Sequence, residues 1–198
     1  MDEKYWIYQD NWIFKPNFNE SIDKYIGMIK QSNCVRLIFS NHDSPEICVQ
    51  TNNQYKHVYY KNYKESKFNQ PLSNSLDNQI QLTHLTFGRY FDHPLSNSLE
   101  NQIQLTHLTF DLRFNHHLSN SLDKLTNLTH LTFGEYFNKP LANSLGNLTN
   151  LTHLTFGNSF NYPLANSLEN SLENLIQLTH LTFGKHFNRS LSDSLDNN

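Results

Sequence analysis

The sequence predicts a repeat solenoid, a curved stack of short parallel strands joined by compact return segments, and three observations predict it. The string Leu-Thr-His-Leu-Thr-Phe occurs five times, beginning at Leu82, Leu105, Leu128, Leu151 and Leu178; the first four copies lie 23 residues apart and the last follows after 27. A phenylalanine stands nine residues after the start of each copy, at Phe91, Phe114, Phe137, Phe160 and Phe187, with Phe68 ahead of the series. The segment Leu-(Ser/Ala)-Asn-Ser-Leu recurs as a third marker, for example from Leu95 to Leu99 and from Leu141 to Leu145.

Each unit is expected to hold one short strand and a return path. In the unit from Leu82 to Leu105, alternation sends Leu85 and Phe87 to one face and His84 and Thr86 to the other. Leu82 closes the corner before the strand, and Gly88 is expected to permit a sharp exit after it. Phe91 starts the return and Pro94 stiffens it. Leu95, Leu99 and Ile103, spaced by four, suit a short helical turn on the convex side. Such a unit has no second layer of its own. Each buried Leu or Phe contributes roughly 1.5–3 kcal/mol, so a repeat offsets its ordering cost only between two neighbours. The order Leu-X-X-Leu-X-Phe followed by spaced leucines is leucine-rich-repeat-like.

The runs Phe91-Asp92-His93-Pro94-Leu95 and Phe137-Asn138-Lys139-Pro140-Leu141, with Leu-Thr-His-Leu-Thr-Phe-Gly, resemble FNIP repeats over Phe68 to Asn198. These leucine-rich-like units are found in social amoebae and in giant viruses that infect amoebae. The family's Ile-Pro or Pro-Ile position is Pro-Leu here. The third copy departs further, with Asp111 for glycine and His117 for proline, and the last copy has Ser190 for proline.

Residues 1–67 are expected to form an N-terminal cap with one helix and two degenerate repeats; 68–198 hold five FNIP-type repeats and a partial C-terminal one. Ile22, Tyr25, Ile26 and Ile29 have helical spacing within Asn19 to Lys30, with Asn19 or Ser21 as N-cap. Cys34 to Phe39 and Tyr55 to Tyr60 resemble degenerate strands. The resemblance also implies that an F-box could stand in this region, yet the stretch offers one helix and two strand-like runs where an F-box needs three helices. The 27-residue spacing comes from a duplicated Ser-Leu-Glu-Asn within Asn166 to Asn174, expected to bulge on the return path and leave the strand register intact.

A net charge of −3 from 15 basic and 18 acidic side chains gives no overall case for nucleic acid or anionic membrane. No apolar run approaches the ~20 residues of a membrane span. The N-terminus lacks the basic start and apolar run of a secretion signal, and two cysteines are too few for a disulfide framework. The reading is cytoplasmic, in the host cytoplasm if the source is viral. The sequons at Asn127, Asn147, Asn150 and Asn188 would matter only in a secreted protein. No phosphate loop, nucleophile elbow or zinc-protease motif occurs. No catalytic residue, metal ligand or cofactor is therefore assigned, and the expectation is a non-enzyme with an unidentified protein partner.

The expected binding surface is the concave strand face: His84, His107, His130, His153 and His180 in one column and Thr86, Thr109, Thr132, Thr155 and Thr182 in the next. It is joined by loop residues that differ between repeats, Arg89, Tyr90, Arg113, Glu135, Tyr136 and Lys185; tyrosine and arginine are common at interface centres. A histidine column invites a metal-binding or pH-sensing reading, but a solvated ladder of cross-strand pairs accounts for it more simply. Crowding is expected to hold the folded histidines below their usual pKa. Asn69, Asn115, Asn138, Asn161 and Asn188, with Asp92 in register, read as an inward asparagine ladder bonding backbone at the bend. Asp92 accepts but cannot donate, so its repeat is expected to be the weaker. The alternatives to a binding scaffold are a substrate-recognition subunit of an F-box ubiquitin ligase and a self-assembling structural solenoid.

Overall fold

The computed structural model describes residues 4–51, 64–77, 82–166, 169–170, 172 and 174–191. Each Leu-Thr-His-Leu-Thr-Phe copy contributes one three-residue strand: β4 (His84–Thr86), β5 (His107–Thr109), β6 (His130–Thr132), β7 (His153–Thr155) and β10 (His180–Thr182). They pair in parallel with like residue opposite like, His84 on His107 through to His153 on His180. This is the predicted fold, and its reason is the predicted one. Leu82, Leu85, Phe87, Phe91, Leu95 and Leu99 are all buried and join their counterparts in one continuous core.

The phenylalanines form two stacks. Between β-strand units, Phe87, Phe110, Phe133, Phe156 and Phe183 repeat at ring spacings of 5.2–5.8 Å. Phe68, Phe91, Phe114, Phe137, Phe160 and Phe187 repeat at 5.9–6.1 Å. The histidine rings on the opposite face of the sheet are only 4.1–4.2 Å apart. The stack therefore fans open toward the return side, and the histidine face is concave.

The N-terminal region begins with an unforeseen hairpin, β1 (Tyr5–Tyr8) antiparallel to β2 (Asn11–Phe14). β2 then pairs in parallel with β3 (Arg36–Phe39), and β3 with β4, giving one eight-stranded sheet in the order β1-β2-β3-β4-β5-β6-β7-β10. Cys34 to Phe39 thus contains a strand, as expected. The second expected strand, Tyr55 to Tyr60, lies outside the described residues, and Arg36 sits directly opposite His84, so no strand separates β3 from β4. The expected helix is present in two pieces, a 3-10 turn at Ile22–Lys24 and α1 (Ile26–Gln31), with the Ser21 hydroxyl accepting the Asp23 amide as N-cap. A further helix, α2 (Pro45–Thr51), was not foreseen. In the described part of this region, strands continuous with the sheet are joined by the 3-10 turn and two short helices.

The return path is made of turns, with a 3-10 segment at Ala142–Leu145, as expected, but two local readings need correction. The Leu95-Leu99-Ile103 segment is a series of turns; Ile103 is 49% exposed and Gln102 is fully buried in its place. Gln102 occupies the column of Leu125, Leu148 and Leu175 and donates from Nε2 to the Leu76 carbonyl at 2.6 Å. Ser73, Ser96 and Ser119, with φ of 46–47°, turn the chain out of helical geometry. The glycine after the strand serves close approach and not a special turn, because no described glycine has positive φ. A Cβ on Gly134 would lie 1.8 Å from the Asp111 carbonyl oxygen, and one on Gly157 2.2 Å from that of Gly134.

The four extra residues behave as expected. Thr179 and His180 amides still donate to the Thr152 carbonyl, while β8 (Ala165–Asn166) and β9 (Glu169–Asn170) form a small antiparallel pair on the return path.

Candidate functional site

The concave face is built by a relay that repeats in every unit. Thr106, Thr129 and Thr152 each donate their hydroxyl to the carbonyl of the threonine one repeat earlier, at 3.0 Å. Thr83 does the same to Val35 at 3.2 Å and Thr179 to Thr152 at 3.1 Å. Each of these hydroxyls also lies 2.9 Å from Nδ1 of the histidine that follows it. A hydroxyl has one hydrogen, and a carbonyl can only accept. Both contacts are hydrogen bonds at once only when the hydroxyl donates to the carbonyl and Nδ1–H donates to the hydroxyl. That pattern is one tautomer of the neutral ring, with Nε2 left as an acceptor.

The five rings stack within 7–10° of parallel. Parallel rings send their Nε2 lone pairs out side by side, whereas a metal site needs lone pairs that converge on one point about 2 Å from each nitrogen. Burial is the main force on the titration of His84, His107 and His130: it pushes the first two down to about 4 and also lowers the third. Neighbouring charge acts second, from Arg36 on His84 and from the flanking histidines on His107. Crowding, the expected cause, is thus the lesser one.

Thr86, Thr109, Thr132 and Thr155 are half-buried beside the histidines, and Thr182 is exposed in the last strand. On the other flank a groove of about 460 Å³ is lined by Gln104, Asn127, Asn150 and Gln177 with Thr106, Thr129 and Thr152. The sequence reading did not single it out, although Gln-Leu-Thr or Asn-Leu-Thr precedes each of β4, β5, β6, β7 and β10. Asn127 and Asn150 each donate an amide N–H to a backbone carbonyl of the preceding repeat, at 2.8 Å.

The variable loop residues divide into two groups. Tyr90 is engaged by its own chain: its hydroxyl donates to Glu65 at 2.6 Å, and its ring lies between Lys67 at 4.6 Å and Arg113 at 4.2 Å. Arg89 meets the same Glu65 at 3.0 Å. Glu135 accepts the Asn158 amide, and Asn158 in turn accepts the Lys185 backbone N–H at 2.9 Å. Tyr136, 50% exposed, remains open to solvent.

The asparagine column is a true ladder. Oδ1 of Asn69, Asp92, Asn115, Asn138 and Asn161 each accepts the backbone N–H of the next member, ending at Asn188, over 2.9–3.1 Å. It extends into the N-terminal region, where Asn19 accepts the Asn69 amide. Two expectations fail. The ladder lies half-exposed to exposed and not inward. Asp92 is no weak rung, because only acceptance is required of it.

The departure at Asp111 also finds its role. Its buried carboxylate accepts the Asn41 amide, and Asn41 Oδ1 accepts the backbone amides of Ser66 at 2.9 Å and Arg89 at 3.1 Å. One carboxylate in the glycine column thereby ties the N-terminal region to the repeats. Nearby Cys48 is buried, with its thiol pushed up to about 11 by desolvation, which makes it a poor nucleophile.

Repetitive parallel strands, leucine and phenylalanine columns and a concave polar face define a leucine-rich-repeat-like solenoid. Two solved structures share this fold. Internalin C2 from Listeria monocytogenes matches with a TM-score of 0.58 at 19% identity, covering 95% of this chain and 68% of that one. The internalin inlF of the same species matches at 0.54 and 19%, covering 92% and 51%. CroV588, described as a circular leucine-rich-repeat protein, is 28% identical with a TM-score of 0.42, covering 98% of this chain and 33% of that one. No family model matches the chain, and no curated protein matches it in sequence. Among the described residues no helix is long and apolar enough to cross a membrane.

Proposed function

We propose that the chain is a non-enzymatic scaffold of FNIP-type repeats that binds a protein partner through its concave strand face. The observation that carries this reading is the division of labour within each unit. Leucine, phenylalanine and asparagine columns hold a constant frame, while a broad, neutral, partly open polar face is left beside a groove and loops that vary in residue type. Tyr136 and Lys185 are the variable loop residues best placed to meet a partner. Arg89, Tyr90 and Arg113 act first within their own chain, so changing them perturbs the frame as well. The proposed setting is a reducing cytoplasm, where buried and unpaired Cys34 and Cys48 are at home.

The experiment is affinity capture from native cells with the wild-type chain and with a triple variant, Thr109→Arg, Thr132→Arg and Thr155→Arg, which fills the concave face without touching the core. The reading expects a specific partner with the wild type and its loss with the folded variant. Equal capture by both would overturn it. A second reading, edge-to-edge assembly, draws on Leu178, Leu181, Phe183, Phe187 and Leu191, which are only partly buried in the last described layer; a solution mass that does not change with concentration counts against it.

A further inference from the structure

The tautomer relay decides what the concave midline can bind. Every Nδ1–H of the histidine column is directed to a threonine, and every one of those threonine hydrogens to a carbonyl. What remains outward is Nε2, an acceptor, repeated at the ring spacing of 4.1–4.2 Å, and Nε2 has no hydrogen-bond partner among the described residues. The imidazoles are parallel, so their dipoles add with the negative end toward the ligand. A row with acceptors and no donors is poorly served by hydroxyl or amide ligands, which bring acceptors of their own. It is well served by ammonium and guanidinium groups, which carry only donors.

Two further features agree. The chain as a whole is net negative, at −3. And the chain itself places a guanidinium in this row, since Arg36 stands in register beside His84, ion-paired with Asp10 at 3.5 Å.

We propose that the concave histidine row is a docking site for a polypeptide segment bearing Lys or Arg side chains, whose N–H groups donate to Nε2 of His107, His130 and His153. The inference rests on the concave face being the binding face, and it specifies the chemistry of the partner.

The test has two arms on the full chain. Long-range 1H–15N NMR correlations at pH 7 report which imidazole nitrogen is protonated; the Nδ1–H pattern is expected in the column, and an Nε2–H pattern would overturn the proposal. Binding of fluorescent hexa-arginine is then measured at near-physiological salt, where exposed long-range attraction is largely screened. The double variant His107→Lys and His130→Lys, checked for folding by circular dichroism, is expected to bind at least about tenfold more weakly, a loss of about 1.4 kcal/mol. His107→Gln with His130→Gln, which keeps an acceptor and adds no charge, is expected to lose less. Hexa-arginine binding that ignores the lysine variant, or binding of chitohexaose in preference to hexa-arginine, would overturn the proposal. If the native partner is still lost from the concave threonine variant under those outcomes, the scaffold reading stands and only this partner chemistry falls.

Discussion

The repeats and the N-terminal region share one core and fill it differently. From β4 onward the layers are near-copies, each with the same leucines and a Phe pair about 4 Å apart. In the N-terminal region Phe39 and Phe68 continue that pairing at 3.8 Å. The two phenylalanine columns also run on, from Phe87 through Phe39 to Phe14 and from Phe68 to Phe18. The outer layer is filled by large aromatic rings instead of leucines: Tyr5 stacks on Trp12 at 4.2 Å, and Tyr25 meets Phe14 edge-on at 5.4 Å. The difference teaches that one core can be filled in two ways, by like residues stacked on like in the repeats and by unlike aromatic rings packed face-on and edge-on beside them. The antiparallel hairpin brings Tyr5, Trp12 and Phe14 together within one local unit, where each repeat supplies a single strand.

The sharpest way to break this comparison is to cut the shared column on each side. Phe133→Ala in the repeats and Phe14→Ala in the N-terminal region should each cost about 3–5 kcal/mol and shift one common unfolding transition in guanidinium. Were Phe14→Ala to melt part of the chain while the main transition stayed in place, the two regions would be separate units. Glycines give the next contrast. Gly134→Ala should cost about 1–3 kcal/mol, because its Cβ meets the backbone of the preceding repeat. Gly27→Ala, in α1 with nothing within 4 Å of the added atom, should stabilise by about 0.5–1 kcal/mol. Thermal denaturation of both variants distinguishes the signs.

The asparagine ladder separates acceptance from donation. Asn138→Ala should cost about 0.5–1.5 kcal/mol, whereas Asp92→Asn, which keeps the acceptor, should stay within about 0.5 kcal/mol of wild type. A large loss from Asp92→Asn would mean that its charge, and its 3.0 Å contact with His116, matters more than the ladder bond.

The pH dependence of stability is a separate handle on the concave face. His84 and His107 titrate near 4 when folded, with Arg36 and Asp10 the charged groups beside His84, against ~6.5 in the unfolded chain. Between those values the unfolded state binds more protons, so stability is complete above pH ~6.5 and falls as pH drops toward 4. Carboxylates held low by hydrogen bonds, Glu20, Asp23 and Glu65, add their own loss only in the acid range below about 4.5. A melting temperature that is flat from pH 7 to 5 would remove the buried histidine column from this account.

What the linear pattern determined is whatever repeats. A period of 23 residues and strict alternation were enough to place β4, β5, β6, β7 and β10, the inward Leu and Phe, the outward His and Thr, and the tolerance of four extra residues, because stacking like on like is the arrangement that buries all those faces together. The tertiary structure decided what depends on a contact between units or occurs once. The exposure of Ile103 in favour of Gln102 was set by turns that a spacing of four disguises. The glycine's purpose was set by the carbonyl of the neighbouring repeat. The fate of Tyr90 was set by Glu65, Lys67 and Arg113, and the tautomer of each histidine by a carbonyl 24 or more residues away. The hairpin at Tyr5–Phe14 and the Asn41–Asp111 link have no second copy to reveal them, and a periodicity argument has no purchase on a feature that appears once.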